Sequence, residues 1–294
     1  MNPAAGSAAS TQSLLERLEH VSFPHETVLT QGVGHAQKLA QEAAIQGNVR
    51  LYACGGDGTL NEVINGAAGF DSVAVTCVPK GTGNDFLKLF GKDYQKQFLN
   101  LEQLARGTEL ELDIMDCNGR LGLDVVCCGL DANIAAGVHK YKKIPFLHGA
   151  GTYFCSLMEQ VLCHKLYRPM KIAVNNQVLE ELVTLLCVCN GRYYGGGFMP
   201  VTDAKPDDGI FDILVVRQVR LSTFFRLVGD YATGQYAKHP DLIYDFHAQT
   251  ISWESEQELV TVMDGEVMYG TSFTLTKFPK PLRFFCPHGV LLEH

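Results

Sequence analysis

The chain has 294 residues, 46% hydrophobic and 19% charged, a balance that can bury a large core in two domains or one large one. Its formal net charge of −8 argues against non-specific nucleic-acid binding and against simple electrostatic docking on anionic lipid, though it leaves room for a local basic face. No apolar run reaches the about 18 residues of a membrane span and no signal peptide is evident, so a cytoplasmic protein is expected, with contact at the inner membrane surface left open. The ten cysteines form no CxxC pair and read as reduced, buried thiols; the ten histidines show no ligand spacing, and no zinc is assigned.

Leu14, Leu15 and Leu18 recur at helical spacing within 8–20, as do Ala36, Leu39, Ala40 and Ala43 within 35–46. Apolar runs near 49–54 and 72–78 read as strands between them. This alternation predicts an α/β domain with a parallel sheet over residues 1–112. The loop opening at Asn2-Pro3 leads straight into the first helix and should follow a strand, of which only Met1 is in the chain. Asn2 is therefore expected at the C-terminal edge of a strand position, on the same side of the sheet as Gly55 and Gly81. From residue 113 short apolar runs dominate, at 123–128, 170–174, 182–189, 210–216, 259–263, 272–276 and 282–285. They predict a mostly β sandwich over 113–279, interrupted by helical inserts near 150–165 and 220–237. Residues 277–281 read as a linker, and Leu292-Glu293-His294 is set aside as tag-like.

The most informative string is Gly55-Gly56-Asp57-Gly58-Thr59-Leu60-Asn61-Glu62, between a strand-like run and a helix start. Glycines at such a turn let a ligand approach backbone N–H groups and a helix N-terminus, which suits a phosphate. Asp57 would repel phosphate without an intervening cation, so it points to Mg²⁺. The plainer alternative is a tight turn that needs glycine and nothing else. A second turn, Gly81-Thr82-Gly83-Asn84-Asp85-Phe86, follows the next strand. In a parallel sheet both turns would lie at the C-terminal strand ends, where open α/β sheets bind ligands.

This pair of strings resembles the diacylglycerol kinase catalytic domain, the bacterial lipid-kinase branch of a superfamily shared with NAD kinases and sphingosine kinases. Further elements follow in family order: Asn2-Pro3-Ala4-Ala5-Gly6; Thr30 ahead of Gly34-His35-Ala36; Asn190 to Gly197 with Pro200, Ala204, Asp207-Asp208-Gly209 and Asp212; and Met263-Asp264-Gly265-Glu266. The resemblance implies that the last strand, within 280–294, returns to the first domain. It implies an ATP- and Mg²⁺-dependent kinase of diacylglycerol or a related lipid alcohol, with Glu266 deprotonating the acceptor hydroxyl. It also implies a structural Mg²⁺ at Lys205, Asp208 and Ile210, held through backbone carbonyls and one carboxylate.

Phosphoryl transfer needs positioning, charge neutralisation and a proton acceptor. Gly55, Gly56, Asp57, Gly58 and Thr59, with Gly81 to Asn84, are expected to bind nucleotide phosphates. Asn61 and Thr82 are expected to add side-chain hydrogen bonds, the resemblance implies that Asn2 and Thr30 assist, and Asp57 and Asp85 are expected to hold the catalytic Mg²⁺. No P-loop sequence exists. Phosphates and acceptor must meet, so Asp57 and Glu266 are expected to face one cleft. The alternatives are a helix cap for Asp85, a solvated residue beside an Asp-Gly hairpin for Glu266, and a spare carboxylate in a turn for Asp208. Two segments are candidates for a lipid surface: Phe224, Phe225, Leu227, Val228 and Tyr231 edged by Arg220 and Arg226, and Lys140, Lys142 and Lys143 before 144–147. Both also fit a core helix with solvated charges. Competing readings are an NAD kinase and a catalytically silent lipid- or nucleotide-binding protein. No nucleic-acid partner is expected, and a homodimer is left open.

Overall fold

A computed structural model describes residues 1–81, 83–141, 155–160, 165–195 and 197–293. The chain divides into two compact units. The first comprises Met1–Ile114, Arg120–Leu123 and Phe278–His294, and the second Met115–Gly119 and Asp124–Lys277.

In the first unit a four-stranded sheet runs in the order β1 (Val49–Gly55), β2 (Val73–Pro79), β13 (Leu282–Cys286), β3 (Thr108–Leu112). β1, β2 and β13 are parallel and β3 is antiparallel to β13. All seven residues of β2 are buried, and all but Thr76 are apolar, the near-continuous pattern of a strand covered on both faces. Helices α1 (Ala8–Leu18), α2 (His35–Gln46) and α3 (Asp57–Ala67) supply the α part, with two short helices, α4 (Tyr94–Phe98) and α5 (Leu101–Ala105). Phe86, Phe90 and Phe98 gather on Phe284 of β13, with ring centroids 5.5, 5.7 and 6.3 Å away. Leu292, set aside above, is buried, and the Glu293 N–H donates to the Leu89 carbonyl at 2.8 Å.

The start of the chain lies where the loop-then-helix pattern predicts. The Asn2 N–H donates to the Cys54 carbonyl at 2.9 Å, and the Thr30 N–H donates to the Met1 carbonyl at 2.9 Å. Met1 and Asn2 thus sit between the C-terminal end of β1 and residues 28–30. The N-terminus of α2 is capped from another helix. Glu62 of α3 accepts from the Gly34 and Ala36 N–H groups at 2.9 and 3.0 Å. Gly34 itself has no side chain to do this. The short strand β5 (Arg120–Gly122) belongs to this unit, and its Leu121 carbonyl accepts from Asn61 and Asn65 of α3 at 3.0 and 2.9 Å.

The second unit is antiparallel. Its strands run in the order β10 (Ile243–Ala248), β9 (Phe211–Arg217), β8 (Gln177–Cys189), β6 (Val125–Gly129), β11 (Thr250–Met263), β12 (Glu266–Lys277), β4 (Met115–Cys117). β7 (Arg168–Val174) also bridges β8 and β11, at their other halves. Alternation sorts the side chains onto two buried faces. Val126, Cys128, Leu186 and Val188 join the core around Trp253, while Val125, Cys127, Leu185 and Cys187 face Phe224, Leu227 and Tyr231. With both faces covered, β6, residues 183–189 of β8 and residues 213–216 of β9 are continuously buried, whereas β10 and much of β11 and β12 alternate or are exposed.

Three of the described helices have no counterpart in the sequence reading: the short α4 and α5, and α6 (Leu130–Tyr141), whose Leu130, Ile134 and Val138 spacing follows directly on β6. That reading also passed over strand β10. The insert expected near 150–165 is helical over 155–160 (α7), and the insert expected at 220–237 is α8 (Leu221–Ala232) followed by a turn of 3₁₀ helix. Residues 142–147 of the lysine-led segment, and the Lys140 side chain, lie outside what the structure describes.

Candidate active site

In the first unit the two glycine turns touch. Gly55 ends β1 opposite Pro79, which ends β2. The Gly55 carbonyl accepts from the Lys80 and Gly81 N–H groups at 2.8 and 3.2 Å. A Cβ on Gly81 would lie 2.7 Å from the Gly56 Cα, closer than any real side chain tolerates. A Cβ on Gly55 would lie 2.2 Å from the Thr59 hydroxyl. The glycines are needed for this packing whether or not a ligand binds. α3 starts at Asp57 with no side-chain cap from Gly56, so the N-terminal end of its dipole is directed at the turn.

Asp57 binds the second turn to the first. Its two carboxylate oxygens accept from the Asn84 and Asp85 backbone N–H groups, each at 2.8 Å. Asn84 adopts a left-handed φ of 51° and its side-chain amide donates to the Gly81 carbonyl at 2.9 Å. Asp85 precedes the 3₁₀ helix Phe86–Phe90 without forming a side-chain cap, and is ion-paired with Lys88. Asn2 reaches the same turn, its side-chain amide donating to the Thr59 hydroxyl at 3.0 Å. Thr30 takes part through its backbone, as the donor to Met1. Asn61 is buried with its amide on the Leu121 carbonyl, so its side chain is used inside the unit. Gly58 is exposed in the first turn of α3, and Thr82 lies outside the described residues.

Among the described residues no group of three or more His, Cys, Asp or Glu side chains gathers to hold a metal. Asp57 and Asp85 supply two carboxylates. That fits a Mg²⁺ that takes the rest of its coordination from phosphate oxygens and water, the usual arrangement for this ion.

In the second unit Glu266 opens β12 directly after Asp264-Gly265. These two have φ of 49° and 87°, positive at both central positions of a two-residue hairpin as in a type I′ turn. Asp264 is held hard: one carboxylate oxygen accepts from the Asp124 and Val125 N–H groups, both at 3.0 Å, and its own N–H donates to the Val125 carbonyl at 3.1 Å. Glu266 is half-buried and paired with Met263 across the hairpin, so a carboxylate is displayed from a pinned turn. Asp208 is exposed and accepts from the Ile210 N–H at 3.0 Å, closing an Asx turn around Gly209, whose φ is 82°. Lys205 and Ile210 are exposed on the same loop.

Residues 1–117 match the diacylglycerol kinase catalytic domain, and residues 124–286 match the YegS C-terminal NAD kinase beta sandwich-like domain. The chain belongs to the bacterial diacylglycerol kinase/lipid kinase family. Relatives of this lipid-kinase family member include the diacylglycerol kinases of Bacillus subtilis strain 168 and Staphylococcus carnosus strain TM300. The first is 25% identical over 90% of this chain and 88% of its own length, and the second 26% over 90% and 86%. A crystal structure of a diacylglycerol kinase from Bacillus anthracis strain Sterne superposes with a TM-score of 0.71 at 22% identity. It covers 99% of this chain and 96% of that one, which establishes the shared fold. Within the family frame, sequence reading had missed two residues at the turns. Glu62 was noted as part of the glycine string but not as the cap of α2. Lys80 has no place in the sequence reading, and nothing in its immediate neighbours marks it, since a lysine beside a turn is ordinarily solvated.

Proposed function

We propose that this family member transfers the γ-phosphoryl group of ATP, with Mg²⁺, to the hydroxyl of diacylglycerol or a related lipid alcohol. The observation that carries the reading is the pair of glycine turns at the ends of adjacent parallel strands, locked to each other through the Asp57 carboxylate. Asn2 and Thr59 brace the first turn, and α3 directs its N-terminus at it. Mg²⁺, when bound, neutralises charge that develops on the transferring phosphoryl group, and Asp57 and Asp85 are the residues that would hold it. Glu266 is the proton acceptor: it takes the proton of the lipid hydroxyl as oxygen attacks phosphorus, and the pinned Asp264-Gly265 turn fixes its position. The Asp208 loop is the place for a second, structural Mg²⁺ held by oxygen ligands.

Two considerations support a lipid acceptor over NAD. The matched catalytic-domain family is that of diacylglycerol kinases, and relatives covering most of the chain carry that name. Helix α8 supports peripheral contact with a bilayer. It buries Phe224, Leu227 and Tyr231 but leaves Leu221 and Phe225 exposed, with Arg220 and Arg226 exposed beside them. Incubation with labelled ATP, Mg²⁺ and a panel of diacylglycerol, ceramide, polyprenol and NAD tests the reading. Label in a lipid phosphate is the expected result. Label in NAD alone, or in nothing, would overturn it.

A further inference from the structure

β2 leads into a lysine whose charge has no counter-ion among the described residues. Lys80 stands between Pro79 and Gly81 and is 9% exposed. Its ammonium donates to the Asn2 carbonyl at 3.1 Å and to the Thr11 hydroxyl at 2.6 Å. Both acceptors are neutral, and among the described residues no carboxylate forms an ion pair with it. Burial of a cation without an opposite charge is costly, and native proteins rarely retain one without a use. Here burial lowers the ammonium's pKa from its usual value.

Its location makes the imbalance worse. The Lys80 N–H is bonded to Gly55, and a Cβ on Gly6 would lie 2.4 Å from the Lys80 carbonyl, so the residue is the junction of the Asn2–Gly6 loop and both glycine turns. Thr11 belongs to α1, which has no acidic residue in its first turn. Cations are favoured at helix C-termini, and this one sits by an N-terminus. Of the acids of the turns, Asp57 has both oxygens on backbone N–H groups, and Asp85 is paired with Lys88. Titratable neighbours of Lys80 are the buried Cys54 thiol and the Met1 ammonium, neither of which supplies a negative charge near neutral pH.

We propose that the Lys80 ammonium is the charge partner of a phosphate group of a nucleoside polyphosphate, so that the three loops are electrostatically complete only with that anion bound. This rests on the reading of the first unit as a nucleotide site. It adds a specificity-determining residue: discrimination for phosphate comes from a fixed buried cation as well as from backbone N–H groups.

The test is binding calorimetry on the full chain with ATP, adenosine and inorganic triphosphate, for the parent, Lys80→Met and Lys80→Arg. Lys80→Met should weaken ATP and triphosphate by about ten- to a hundredfold, the span of a hydrogen-bonded charge, and leave adenosine unchanged. Lys80→Arg should retain most of the affinity. The melting temperature of unliganded Lys80→Met should equal or exceed that of the parent. On the alkaline side, where the depressed ammonium begins to lose its proton, ATP binding to the parent should take up protons, because an anion raises its pKa, and Lys80→Met should abolish that uptake. Equal ATP affinity in parent and Lys80→Met would overturn the proposal. So would parallel loss of ATP and adenosine with a lowered melting temperature, the mark of a structural residue. Triphosphate binding that depends on Lys80, in a parent that does not bind ATP, would uphold the anion site and reject the nucleotide reading. A parent that binds neither rejects both.

Discussion

Asp57→Asn separates a carboxylate that builds the turn from one that serves only a metal. Each Asp57 oxygen receives one backbone N–H at 2.8 Å, from Asn84 and Asp85. Asparagine keeps one acceptor and places a donor against the other N–H. One charge-assisted bond is lost, the other loses its charge, and a partly buried N–H is left facing a donor. A hydrogen bond to a charged group contributes about 1.5–3 kcal/mol, so the combined loss should be about 2–4 kcal/mol. At roughly 3 °C per kcal/mol for a domain of this size, the unliganded protein should melt about 6–12 °C lower. The assay is thermal denaturation of parent and variant in excess chelator without nucleotide. A melting temperature within about 2 °C of the parent would refute the argument and leave the carboxylate as a ligand alone.

Glu266→Gln should lower kcat by about 10²–10⁴ with ATP affinity intact, measured as turnover on whichever lipid is active, with parallel calorimetry; a loss under about fivefold rules Glu266 out as the base. Asp131, which accepts from the Tyr194 hydroxyl, is pushed up to about 7 by burial from a usual 3.8, so the native state keeps a proton that the unfolded chain releases. Its contribution to stability is therefore greatest below pH 3.8 and falls as pH rises towards about 7. Asp131→Asn should remove that slope in denaturant titrations across this range, and an unchanged slope would assign it to other groups. Phe225→Ser should reduce co-sedimentation with phosphatidylcholine vesicles containing phosphatidylserine several-fold without lowering the melting temperature, because Phe225 is 53% exposed on α8; unaltered binding would move membrane contact elsewhere.

Much of the architecture is written locally. Buried β2 is legible as an apolar run, and Asp264-Gly265 as a hairpin turn, because each signal lies within a few neighbouring residues. The glycine turns were legible as turns, but what holds them together was not. The Asp57 bonds span 27 and 28 residues, and nothing in either string marks the other as its partner. Asn61 was read as a ligand contact for the same reason; its acceptor at Leu121 lies 60 residues on, in a segment that rejoins the first unit. Helix α6 was overlooked because its apolar positions run on from β6 without a break, and a short apolar run fits strand and helix alike.

The place of β13 sets the order in which the chain matures. It lies between β2 and β3 in the first sheet, yet it is made about 200 residues after β2, once the whole second unit has been synthesised. At 5–20 residues per second that interval is roughly 10–40 s. Throughout it β2, apolar but for Thr76, has an unpaired edge, the kind of surface that chaperones cover and that pairs with strands of other chains. Nascent chains of this protein therefore pass through a period of vulnerability to aggregation, which ends when Leu282–Cys286 slots into the sheet.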